Sequence, residues 1–214
     1  MKLESRILVE GVDGRRDGWL VPMQPYSLTM NYGAALNEAM ELIPDGAWAC
    51  FLDHDAAWTT RDWYRHILEA IAFKPDAGLF TACTNRIAPR WQQAGERDCH
   101  DMAVHRKFGQ QRAEKHRFLL DATETKGIGG VVLVISKSNW RAMGSFADGM
   151  RCVDHLAHFA QRDLGQRVYV IESLYVYHAR LTSGDSKLAR ESPVAANCPC
   201  RGPEQEPTVR IALP

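Results

Sequence analysis

Asp53-His54-Asp55 directly follows the apolar run Ala47 to Leu52. In an extended chain, residues two apart project to the same side, so the two carboxylates can share one site. Left alone in a cleft they repel by roughly 4 kcal/mol at about 4 Å and an effective dielectric near 20. A divalent cation removes that cost, and oxygen donors suit Mg²⁺ or Mn²⁺. His178 stands at the exit of the strand-like Leu174-Tyr175-Val176-Tyr177 and can supply a neutral imidazole as a third ligand. Asp154 opens a helix pattern, where the helix dipole alone accounts for an acid. Facing a cleft, it would instead act as a general base toward a hydroxyl. Each feature also has a plainer reading: a polar loop after a strand, a hydrogen-bonded surface histidine, a helix-start acid.

Three other features invite chemistry less sharply. The stretch from Arg86 to Arg117 is rich in Arg and Lys and holds Trp91 and Phe108. It reads as a solvated face, an acceptor-binding lid or, less readily, a nucleic-acid groove. Gly127-Ile128-Gly129-Gly130 precedes a strand and opens no helix, so it is not a dinucleotide fingerprint. Of six cysteines, Cys50, Cys83 and Cys152 sit among apolar residues and read as buried free thiols. Cys198-Pro199-Cys200 has metal-binding spacing, but a lone C-x-C lacks a second ligand pair.

The elements that must position these residues are legible as alternating patterns. Strands are expected at 6–9, 47–52, 79–82, 131–136, 167–171 and 174–177. Helices are expected at 33–42, 61–73, 101–115, from Ser136 or Ser138 through Met143, and at 153–164, with Gly165 as a helix-ending glycine. The alternation predicts an α/β domain with a mostly parallel central sheet flanked by helices, its ligands gathered beyond the carboxyl ends of the strands. Residues 1–180 are expected to form that domain, and 181–214 read as a polar, Pro-rich tail, a loop wrapped over the body or partly mobile.

Composition narrows the class. The chain has 214 residues, 45% hydrophobic and 24% charged, which argues against disorder. Lys plus Arg and Asp plus Glu are 26 each, so bulk charge does not recruit nucleic acid. No apolar run approaches the roughly 18 residues of a membrane span. The start has no apolar signal segment, and the expected location is cytoplasmic.

Taken in order, these pieces resemble a family 2 glycosyltransferase of the GT-A fold. Asn31-Tyr32-Gly33-Ala34-Ala35-Leu36-Asn37 is similar to the stretch ahead of that family's metal motif, and Asp53-His54-Asp55 to the D-x-D motif itself. Gly127 to Ser136, then Met143-Gly144-Ser145-Phe146-Ala147-Asp148, resembles its acceptor strand and glycine-bearing turn. Asp154 with Gly165, and Val176-Tyr177-His178, resemble its closing motifs. The resemblance spans about residues 31 to 180. Val153 stands where the family has Glu, and Ser145 where it has Gly. The front is shorter than in the family: either donor recognition is minimal, or another segment, such as the Pro-rich tail or a second subunit, fills the gap.

The resemblance implies inverting transfer of a sugar from a UDP- or GDP-sugar to an acceptor hydroxyl on a glycan, protein or nucleic acid. Asp53, Asp55 and His178 would hold Mn²⁺ or Mg²⁺. Asp53, His54, Asn31, Gly33 and Asn37 would lie on the nucleotide-sugar side, with Asp13 or Asp17 as the base-binding acid. Gly129 and Gly130 would leave room for sugar or acceptor, and Asp154 would be the base. The alternatives are a non-catalytic GT-A-like binding domain and a transferase acting on nucleic acid. A homo-oligomer is compatible with each.

Overall fold

The computed structural model describes residues 28–179, 198–200 and 205–214, together with the backbone of 7–9 and 18–20. Strands β1 (Ile7–Val9) and β2 (Gly18–Leu20) pair antiparallel as a separate hairpin. Helix α1 (Tyr32–Leu42) starts where the Asn31 side chain accepts from the Ala34 amide, and it ends at Ile43, which lies extended before Pro44. Next come β3 (Trp48–Leu52), β4 (Ala56–Trp58), α2 (Trp63–Phe73) and β5 (Leu79–Thr84). A 3-10 turn at Arg90–Gln92 leads to α3 (Met102–Lys115) and β6 (Phe118–Asp121). Strand β7 (Val132–Ser136) runs into α4 (Lys137–Ala142), capped by Ser136, and then α5 (Val153–Asp163), β8 (Val168–His178) and β9 (Val209–Ala212) complete the order.

Seven strands form one sheet in the order β3-β7-β5-β8-β6-β9, with β4 also paired to β8. The expectation of a mostly parallel sheet is corrected here. Only β5 and β8 pair in parallel, and the other five pairings are antiparallel. The reason lies in what an apolar run reports. In β7, Leu133 and Ile135 join one core cluster with Leu36 and Met40 of α1 and Trp140 of α4. Val132 and Val134 join the opposite cluster with Ile67 and Ala70 of α2. A strand covered on both faces reads as continuously apolar whichever way it runs. The tail also differs from the loop expected of it, since β9 adds an antiparallel strand outside β6.

Strand β8 carries the feature that aims the site. Its pairing with β5 steps from Ala82 opposite Ile171 to Cys83 opposite Tyr175, leaving Glu172, Ser173 and Leu174 as a bulge. Beyond the bulge the strand continues to His178 along β4. Glu172 is buried there between Arg112 (3.4 Å) and Arg210 (3.0 Å).

The turn at 144–149 is tied to α1 by Asn37, whose amide donates to the Phe146 carbonyl (2.9 Å) and whose oxygen accepts from the Trp140 indole (2.9 Å) and the Phe146 amide (2.8 Å). Asn37→Ala strands these groups, and we expect a loss of about 2–4 kcal/mol. The measurement is a lower denaturant midpoint at unchanged slope.

Candidate metal centre

Backbone pairing converges the three sequence-predicted ligands. The Asp53 amide donates to the Val131 carbonyl (3.0 Å), extending the β3–β7 ladder by one residue. The Asp53 carbonyl accepts from the Ala56 amide (3.0 Å), closing a tight turn that launches β4. Antiparallel pairing then sets Ala56 opposite His178, and the Ala179 amide donates to the Asp55 carbonyl (2.9 Å). Asp55 and His178 are thus neighbours by register. His178 Nε2 lies 3.3 Å from Asp55 Oδ1, with side chains 14% and 5% exposed. The ligand atoms of Asp53, Asp55 and His178 all fall within 4.8 Å of one another.

The imidazole is oriented from behind. His178 Nδ1 lies 2.6 Å from the Arg86 carbonyl, which can only accept, so Nδ1 carries a hydrogen. Nε2 therefore faces the Asp55 carboxylate either protonated or with its lone pair turned to a shared cation. Metal-bound histidines are characteristically held by a bond of this kind at the other ring nitrogen. The His178 amide donates to Asn85 Oδ1 (2.8 Å), fixing the strand end.

The cluster places two carboxylates and one imidazole under opposing electrostatic effects. Burial pushes the Asp53 carboxyl up, His178 offsets part of this, and the charges of Asp154 and Asp55 add to it, leaving Asp53 at about 7. Burial alone would pull His178 down. The hydrogen bonds to Asp55 and to the Arg86 carbonyl, with the charges of Asp55 and Asp53, outweigh it and hold His178 above its ordinary value. Tyr32, the first residue of α1, reaches Asp53 Oδ1 through its hydroxyl (3.4 Å). Burial, with Asp53 and Asp154 nearby, keeps it a neutral phenol. Two oxygens and one imidazole nitrogen, with protons held in place of a missing charge, are a donor set that fits Mg²⁺ or Mn²⁺.

A pH dependence follows. Without a cation, folded Asp53 keeps its proton to about pH 7, whereas an unfolded aspartate releases it near pH 4. The folded chain binds the extra proton over that interval, so this contribution to stability falls as pH rises from about 4 to 7. His178 acts in the same direction: what its protonated form contributes is complete below about 6.5 and is lost as pH rises through its elevated folded value. A bound cation would replace both protons. Melting temperatures with and without saturating Mn²⁺ should therefore diverge as pH rises from 5 to 8, and Asp53→Asn should reduce the divergence.

Asp154 is not a member of the three-ligand cluster, but its charge acts on both Asp53 and Tyr32. It sits in the first turn of α5, accepting from the Gly130 amide at Oδ2 (2.8 Å) and from the His155 amide at Oδ1 (2.9 Å). Gly130 is needed for that approach, since a Cβ there would lie 2.5 Å from the Asp154 Cβ. Gly129 is buried, bonded through its amide and carbonyl to Gln92, and a Cβ on it would strike Ile87 at 2.0 Å. His54 is exposed at the turn between β3 and β4.

Asn31 and Gly33, like Asn37, tie α1 to the 144–149 turn. Asn31 Oδ1 accepts from the Ala34 and Gly149 amides, and a Cβ on Gly33 would lie 1.8 Å from the Ala147 carbonyl oxygen. A cleft of about 440 Å³ borders this turn, lined by Asn37, Phe146 and Leu156 among others, and none of Asp53, Asp55, Asp154 and His178 lines it. Asp13 and Asp17 lie outside the described residues.

In the basic stretch, Arg86 donates to the Arg97 (2.7 Å) and Ala179 (2.9 Å) carbonyls, and Arg117 to Glu69 (3.2 Å) and the Pro214 carbonyl (2.8 Å). With Arg112 on the Glu172 carbonyl, these side chains bond within the fold. Sequence reasoning missed Tyr32 and the Arg86 carbonyl. The first lay beside a helix cap, and the second is a backbone group without sequence signature.

Among the described residues, no helix is long and apolar enough to cross a membrane. No protein-family model matches the chain, and no match was found among curated proteins.

Proposed function

We propose that the chain is a metal-dependent glycosyltransferase of the GT-A type, moving a sugar from a nucleoside-diphosphate sugar to an acceptor hydroxyl with inversion. What supports this reading is the meeting of Asp53, Asp55 and His178 at two strand ends, with Asp154 near enough for its charge to act on Asp53. Asp53, Asp55 and His178 would hold the divalent cation, which when bound supplies neutralising charge for a diphosphate leaving group.

The remaining work falls to the chain. Asp55 and the Arg86 carbonyl orient His178, while the Tyr32 hydroxyl orients Asp53. Asp154 keeps acceptor capacity beyond its two backbone bonds. It takes the proton of the acceptor hydroxyl as that oxygen attacks the anomeric carbon opposite the departing nucleoside diphosphate.

The test is thermal stability under titration with UDP and with GDP in Mn²⁺. A saturating ligand stabilises as RT ln(1 + [L]/Kd), roughly 2.7 kcal/mol at a hundredfold excess over Kd. No shift with either nucleotide defeats the proposal. A non-catalytic binding domain is favoured by one observation: Val153, where the family has Glu, is buried in the core. Hydrolysis of donor without acceptor separates the two, since a binding domain gives none.

A further inference from the structure

We propose that Cys152, His155, Cys198 and Cys200 form a second, structural metal site, a tetrahedral Cys3His centre for Zn²⁺ that clips the segment at 198–200 onto the start of α5.

The ligand atoms of the four side chains all lie within 4.8 Å of one another. The three sulfurs are free thiols, so the grouping is not a disulfide. Zinc bonds of about 2.3 Å to sulfur and 2.0 Å to nitrogen place tetrahedral ligands about 3.5–3.8 Å apart. The separation of Cys198 Sγ from His155 Nδ1 is 3.7 Å, the length of such an edge.

The site is also built. Cys152 caps α5 in a left-handed conformation (φ 61°), unusual for a residue with a Cβ. Three residues on, one turn of helix brings His155 to the same face. Gly127, at φ 120°, makes room for the imidazole: a Cβ there would lie 2.9 Å from His155 Cδ2. Cys198 is 4% exposed. Three thiolates and a neutral imidazole on Zn²⁺ leave one net negative charge, which the amino end of α5 favours. Sulfur-rich donors select zinc over the hard cations suited to Asp53 and Asp55. The pair Cys152-x-x-His155 thus supplies the second ligand pair that Cys198-x-Cys200 lacked in the sequence.

The test uses the full chain purified without chelator. Metal analysis should find about one zinc per chain. Cobalt substitution should give the visible bands of tetrahedral thiolate coordination. In the wild-type protein, Cys152, Cys198 and Cys200 should resist alkylation until a strong chelator is added. Asp55→Ala should keep this zinc, and the Cys198→Ser/Cys200→Ser double variant should lose it. Wild-type protein with no zinc, with octahedral cobalt spectra, or with these thiols recovered as a disulfide overturns the proposal, as does undiminished zinc in the double variant. None of these readouts depends on sugar transfer.

Discussion

Asp55→Ala is expected to weaken Mn²⁺-dependent nucleotide binding by about a hundredfold or more and to remove donor turnover. Loss of groups that merely orient metal ligands already costs 10- to 100-fold, and Asp55 supplies one of only three clustered ligand atoms. The fold should survive, because two effects oppose each other. The substitution takes away the partner of His178 Nε2, yet it also removes one of the charges that hold Asp53 up. Backbone pairing of Ala56 with His178 does not involve the lost carboxylate. Calorimetric titration of Mn²⁺ with UDP or GDP, beside a denaturant melt, checks both halves. Wild-type affinity in a folded Asp55→Ala protein would remove the metal centre from the mechanism.

The second large effect is expected at Asp154. Asp154→Asn preserves shape and one acceptor oxygen for the Gly130 amide but cannot take a proton. Loss of a general base lowers turnover by about 10²- to 10⁴-fold, whereas nucleotide affinity should change only a few-fold because Asp154 is outside the ligand cluster. A fall in kcat with near-constant donor KM is the expected pattern. A large rise in KM at unchanged kcat would instead assign Asp154 to donor binding.

The clustering of the candidate metal ligands was legible in part, because Asp53, Asp55 and His178 stand where apolar strand patterns stop, and those stops are visible in sequence. Asp53-His54-Asp55 ends β3 and His178 ends β8. Strand direction was not legible, since the alternating contributions of Val132 to Ile135 to two opposite cores report burial alone. The polar pair Glu172-Ser173 split β8 into two expected strands, and the structure uses that interruption as a bulge inside one. The resemblance implies donor contacts for Asn31, Gly33 and Asn37; in the structure Asn31 and Asn37 bond to the 144–149 turn, and Gly33 packs against it. Nothing local marked Cys152 and His155 as partners of Cys198 and Cys200, because only the folded path of the chain joins them.

The bulge at 172–174 makes the candidate metal centre sensitive to chain length as well as to side-chain identity. Deleting Ser173 would slide every later position of β8 by one, carrying the imidazole to the opposite face and presenting a neighbouring side chain to Asp55. A single codon lost in this strand, far from any acidic ligand, would disable the site as completely as removing a ligand. An insertion in the exposed turn at Asp45-Gly46 would leave it intact.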